Sequence, residues 1–148
     1  MTSSTETTRI AGRCHCGNVS YALRTRERLD DVVVRICGCE FCLRHRPRHW
    51  SDPEGRLEIE VSDPGELISY RFGHGTADFV ICRRCGVYCF AVAELEGCHR
   101  AVANLNLALE RDARPREAFL EALTEEPAER LRRRGANWTP VTSGWPPH

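Results

Sequence analysis

The chain has 148 residues, balances 21 basic against 21 acidic side chains, and takes every basic one from arginine. Mean hydropathy is −0.44, and no apolar run approaches the roughly 18 residues of a membrane span. A membrane partner and a strongly basic nucleic-acid binder are therefore not expected, and the length suits one domain with a moderate core.

Residues 1–9 are polar and lack the apolar segment of a secretory leader, so they are expected to form a disordered tail. Val19, Tyr21 and Leu23 alternate with Ser20, Ala22 and Arg24, which predicts a strand after the Gly17-Asn18 turn. Val32, Val34 and Ile36 predict another, running into a cysteine cluster. Leu57, Ile59 and Val61 alternate with Glu58 and Glu60, the clearest half-buried strand in the chain. Asp63-Pro64-Gly65 marks a turn before a strand over 67–72, and Gly73-His74-Gly75 marks the next, ahead of Phe79-Val80-Ile81. Apolar runs at 87–92 and 101–107 add two more strands. Beyond these, Phe119, Leu120 and Leu123 have helical spacing after Pro115, and a second short helix is expected over 127–134, ended by Gly135. The sum is a mainly β fold, largely antiparallel, with short C-terminal helices.

Seven of the nine cysteines fall in three tight clusters: Cys14-x-Cys16, Cys37-x-Cys39-x-x-Cys42 and Cys82-x-x-Cys85. Gaps of one or two residues let thiolates converge on one ion about 2.3 Å from each sulfur. A structural zinc takes four such ligands, whereas a catalytic zinc takes three and keeps one position open. Cys14, Cys16, Cys82 and Cys85 make a closed set, leaving Cys37, Cys39 and Cys42 for a second, open ion, two zinc ions per chain. Gly17 and Gly86 close the two knuckles by freeing the backbone to turn its amides toward sulfur. Other partitions stay open: the triplet joined to a knuckle cysteine, recruitment of Cys89 or Cys98, closure by His45, or iron in place of zinc. Cys89, within an apolar run, reads as a small core residue and Cys98 as a turn or edge cysteine. Nine cysteines without a leader suggest a reducing, cytoplasmic setting rather than an exported disulfide scaffold. With the thiolates ionised and two divalent ions bound, the net charge falls by about 3.

Gly12-Arg13-Cys14-His15-Cys16-Gly17-Asn18-Val19-Ser20-Tyr21 resembles the opening motif of the glutathione-dependent formaldehyde-activating enzyme family, whose domain is shared with centromere protein V. Cys37-Gly38-Cys39-Glu40-Phe41-Cys42 resembles its catalytic-zinc loop, and the stretch from Phe79 through Cys82, Cys85 and Val87 its second knuckle. Ala103-Asn104-Leu105-Asn106 is similar to a strand that follows. The resemblance implies an Mss4-like arrangement of antiparallel sheets around zinc over residues 10–148. It also implies a structural ion on Cys14, Cys16, Cys82 and Cys85, and a catalytic ion on Cys37, Cys39 and Cys42. Its implied activity is carbon–sulfur chemistry on an adduct of the S-hydroxymethylglutathione type. Where the family carries small residues after the triplet, this chain runs Leu43-Arg44-His45-Arg46-Pro47-Arg48-His49-Trp50.

Three thiolates leave zinc a weak activator of water, so its better role is to hold a substrate sulfur as thiolate. A zinc-dependent carbon–sulfur lyase acting on a thiol adduct of a small aldehyde is the leading expectation. Arg44 and Arg46 are then candidates to pair substrate carboxylates, and His45 or His49 to transfer a proton. A non-catalytic zinc protein that carries a low-molecular-weight thiol is the alternative, and an interaction module with two folding zincs a third.

Overall fold

A computed structural model describes residues 7–120 and 125–147. Eleven strands form one large mixed sheet: β1 (Thr8–Arg13), β2 (Val19–Thr25), β3 (Val33–Cys37), β4 (His49–Trp50), β5 (Arg56–Val61), β6 (Leu67–Tyr70), β7 (Asp78–Cys82), β8 (Tyr88–Leu95), β9 (Cys98–Asn104), β10 (Arg116–Leu120) and β11 (Thr139–Ser143). Among the described residues two α-helices interrupt it, α1 (Glu40–His45) and α2 (Pro127–Asn137). Along the main path the order is β1-β2-β5-β11-β9-β4-β3-β10, with β6-β7-β8 joining at the other edge of β9. Pairing is antiparallel except for β10 on β3 and β11 on β5. No described helix is long and apolar enough to cross a membrane.

The predicted alternation in β5 is realised in register: Leu57 and Ile59 are buried opposite Leu23 and Tyr21 of β2. Together with Ile10, Val19, Val34, Val80 and Phe90 they form one core. A second core gathers Phe41, Tyr88, Ala91, Ala93, Val102 and Trp138.

A bulge in β8 decides which core receives which residue. Val80 pairs with Phe90 but Ile81 pairs with Tyr88, so Cys89 is the extra residue on its strand. In regular pairing Tyr88 would share a face with Phe90; one inserted residue turns it to the other side. Tyr88 thus joins the second core, while Cys89 is buried in the first, in keeping with its reading as a core residue.

Four sequence expectations are corrected. The helix expected over 115–123 is strand β10 across Arg116–Leu120, because that segment finds a parallel partner in β3; Leu123 lies outside the described residues. Helix α2 does not stop at Gly135 but continues to Asn137, where the Trp138 N–H donates to the Arg134 carbonyl at 2.8 Å. The triplet loop contains a short helix, α1, that periodicity did not announce. Strand β1 begins at Thr8, so Thr8 and Arg9 belong to the sheet rather than to a tail.

Candidate metal centres

Cys14 follows β1 in the tight turn to β2, where its carbonyl accepts from the Gly17 N–H at 3.2 Å and its sulfur from the Val19 N–H at 3.3 Å. Cys82 ends β7, and the Gly86 N–H returns to its carbonyl at 2.7 Å. Both turns need a left-handed residue, and Gly17 (φ 87°) and Gly86 (φ 78°) supply it. The two knuckles face each other, and the sulfurs of Cys14, Cys16, Cys82 and Cys85 all lie within 4.8 Å of one another. Cys16 stands 3.7 Å from Cys14 and 3.6 Å from Cys82. A tetrahedron with 2.3 Å metal–sulfur bonds has sulfur–sulfur edges of about 3.8 Å, so the set fits a tetrahedral ion and is too open for disulfides. Burial pushes the Cys82 thiol up to about 12. Cys85 comes down to about 6 because, against burial, the N–H groups of Cys16 and Val87 point at its sulfur.

Cys37 is the last residue of β3, Cys39 caps α1, and Cys42 lies one turn inside that helix. The Cys39 N–H donates to the Cys37 sulfur at 3.5 Å, and the Cys42 N–H to the Cys39 sulfur at 3.4 Å. These three sulfurs also converge within 4.8 Å, and no fourth His, Cys, Asp or Glu among the described residues joins them. Hydrogen bonds from the Cys37 and Cys42 thiols bring Cys39 down to about 2, while hydrogen bonds to Cys37 and Cys39, together with burial, push Cys42 up. The set can hold a metal ion with three protein ligands.

The triplet forms part of the wall of a cavity of about 90 Å³. Arg35, Arg130, Arg133 and Arg134 enter the same wall, with His49, Phe72, Phe79 and Trp138 among the rest. Arg133 grips Glu125 with two nitrogens at 3.0 Å, and Arg130 also reaches Glu125 at 3.3 Å. Arg35 donates to Ser51, whose hydroxyl donates to the Asn137 carbonyl at 2.7 Å. His49 shares a 2.8 Å hydrogen bond with the Tyr88 hydroxyl, both side chains buried. Burial, then the Arg35 charge, lowers His49 to about 3, so its ring is neutral at physiological pH.

Of the sequence candidates beyond the cysteines, His49 lies in this wall, whereas Arg44, Arg46 and His45 stand apart from it. Arg44 points to solvent and pairs with Glu40 at 2.6 Å. Arg46 ends α1 in a left-handed conformation (φ 52°) and is exposed. His45 is exposed and stacks on Phe41 at 4.3 Å between ring centroids, beside a shallow apolar groove with Ile68 and Tyr70. Sequence reasoning named no arginine of α2 as a site residue and so missed that Arg134 is buried in the cavity wall that the triplet shares. A signal did exist: Arg134 and Trp138 are four apart, and the guanidinium sits 4.7 Å from the indole centroid. Asn104 is a clamp inside the sheet, its amide donating to the Tyr88 carbonyl at 2.9 Å and its carbonyl side-chain oxygen accepting from the N–H groups of Arg48 and Asn106.

No protein-family model matches the chain. Among solved structures it is similar to a Rhodobacter sphaeroides protein determined as a structural-genomics target, with a TM-score of 0.51 and 24% identity. The match covers 75% of this chain and the whole of that one, and shows a shared fold alone.

Proposed function

We propose that the chain is a two-zinc protein acting as a carbon–sulfur lyase on the thiol adduct of a small aldehyde. In this reading Cys14, Cys16, Cys82 and Cys85 hold a structural ion, and Cys37, Cys39 and Cys42 hold the working one. The observation that carries the proposal is a set of three converging cysteine sulfurs, with no fourth side-chain ligand among the described residues, in the wall of a cavity rich in arginine. The resemblance of the three cysteine motifs to the formaldehyde-activating family supports the same reading. When bound, zinc would keep a fourth, substrate sulfur ionised yet electron-rich, the state from which a thiol adds to or leaves an aldehyde carbon.

The surrounding residues supply the rest. The arginines offset the negative charge of the thiolate set and attract an anionic adduct. Phe72, Phe79 and Trp138 keep the wall apolar, which strengthens each of those attractions. His49 and Tyr88 satisfy each other's polar atoms, so the wall presents no ionised imidazole to compete for the anion. In the lyase direction the carbon–sulfur bond breaks, its electron pair remains on sulfur, and the carbinol hydroxyl releases its proton to water as the carbonyl forms.

The test is exchange spectroscopy on zinc-replete protein with formaldehyde and a low-molecular-weight thiol. The protein should accelerate formation and cleavage of the adduct, and Cys39→Ala should abolish the acceleration while the circular dichroism of the sheet persists. Unchanged exchange with Cys39→Ala would remove the proposal. Thiol binding without acceleration would identify a carrier instead.

A further inference from the structure

Within the triplet, two cysteines are placed for a bond to each other. Cys39 caps α1 and Cys42 follows three residues later, one turn inside it. Cα atoms three apart on a helical turn are separated by about 5 Å, inside the range that a disulfide spans. The Cys42 N–H donates to the Cys39 sulfur at 3.4 Å, so that sulfur is folded back over the residue whose own sulfur converges with it. Cys37 is placed differently. One residue separates it from Cys39, too few for a relaxed bridge, and it ends β3, held in the sheet opposite Leu120 of β10.

Exposure divides the pair into two roles. Cys39 is partly exposed, whereas Cys42 is only 3% exposed. An oxidant from solvent therefore meets Cys39 first, with Cys42 shielded beside it, the arrangement of an attacking thiol and a resolving one. The knuckle Cys82-x-x-Cys85 has the same spacing, but there four sulfurs converge on one position. An ion held by four sulfurs must give up more bonds before any pair is free than an ion held by three.

Resting on the reading of the triplet as an open metal site, we infer that Cys39 and Cys42 are a reversible dithiol that a hydroperoxide oxidises to a disulfide, releasing the ion of that site. The Cys39 thiolate attacks a peroxide oxygen, the O–O bond breaks, and Cys39 becomes a sulfenic acid. With hydrogen peroxide, the departing hydroxide takes a proton and leaves as water. The Cys42 thiolate then attacks the sulfenic sulfur, the S–O bond breaks, and the second oxygen leaves as water on taking a proton. Two thiolates have given up two electrons, and the peroxide has accepted them. Cys37 is then the one donor left at the site, too few to retain an ion. Two molecules of a low-molecular-weight thiol, the class of compound the proposed reaction uses, return the pair to thiols as their own disulfide forms. The site thus works while thiol is plentiful and shuts under peroxide.

The experiment treats the zinc-loaded protein with one equivalent of hydrogen peroxide. Zinc release is followed with a chromogenic chelator, and the cysteines by alkylation and peptide mapping. One of the two zinc ions should be lost as a Cys39–Cys42 bridge forms, and a reductant with added zinc should restore both thiols and the ion. Cys37→Ser should form the same bridge, and Cys42→Ser should stop at a sulfenic acid on Cys39 that dimedone traps. A first bridge within Cys14, Cys16, Cys82 and Cys85, a bridge that includes Cys37, or oxidation of Cys39 in the unmodified protein with no bridge would each overturn the inference. None of those results bears on adduct exchange, so the lyase reading would stand. A chain that holds a single zinc before peroxide is added would overturn both.

Discussion

His49 enters the folded state as a neutral ring, and that makes stability depend on pH in a calculable way. Burial is the largest cause of its depressed pKa; Arg35 and Arg134 act in the same direction and the Cys39 thiolate opposes them. The folded pKa of about 3 lies below the ordinary 6.5, so the unfolded chain takes up the proton first. The resulting stability is fully present above pH 6.5 and is lost as pH falls from there toward 3. Each pH unit in that window is worth 1.36 kcal/mol, so the imidazole alone removes about 2 kcal/mol between pH 7 and pH 5. For a chain of this size that corresponds to a melting temperature lower by about 4–8 °C. The assay is denaturant unfolding of the wild type and of His49→Gln at both pH values with zinc in excess. The variant starts less stable, but its loss on acidification should be smaller by that amount. Loss of metal on acidification is common to both proteins and cancels in the comparison. Parallel pH profiles would show that His49 is charged in the fold or titrates normally, and would refute the reasoning.

Four further outcomes are expected. Cys82→Ala should abolish the cooperative unfolding transition seen by circular dichroism, because a structural zinc contributes roughly 10–16 kcal/mol, as much as a whole domain's stability. Cys42→Ala should keep that transition and lower the zinc content by elemental analysis from two to one per chain, since the triplet ties together only β3 and α1. Tyr88→Phe leaves a buried His49 ring nitrogen without its partner and should cost about 1–3 kcal/mol in chemical denaturation, with the aromatic packing around Phe41 retained. Cys89→Ala should leave both ions in place, because the Cys89 sulfur belongs to neither converging group; loss of an ion would return that cysteine to the list of ligands.

The cysteine sets that could hold metal were legible in the sequence because ligand spacing is local: a glycine closes each knuckle turn, and the triplet keeps its spacing although it runs from the end of β3 into the unannounced α1. Strand β5 was legible for the same reason, its period of two surviving intact. The error at β10 has a physical cause. Phe119 is 66% exposed, so its spacing relative to Leu120 reflected no buried face, and pairing with β3 decided the conformation. The bulge at Cys89 was hidden because 87–92 is apolar throughout and offers no parity to count. The arginine wall was the least accessible of all. Arg35 and Arg134 are almost a hundred residues apart, and only the placement of α2 beside β3 brings them to one cavity. Charge in a chain whose only base is arginine carries no positional information until the fold is known.

The two cysteine sets belong to different cores, yet one strand connects them. Cys82, Cys14 and the bulge residue Cys89 lie in the first core; Cys42, Tyr88 and Trp138 lie in the second. The route between them is short. The Cys82 N–H donates to the Val87 carbonyl at 3.0 Å, which fixes the turn that delivers Tyr88, and the next residue is the extra one that turns Tyr88 toward His49. An ion on the first set would hold that turn closed. The wall of the second site is thus positioned from the opposite side of the sheet by the first. In the proposed reading, the ligands of an exchangeable ion would not by themselves hold their loop, and a closed site that keeps its ion would supply that rigidity.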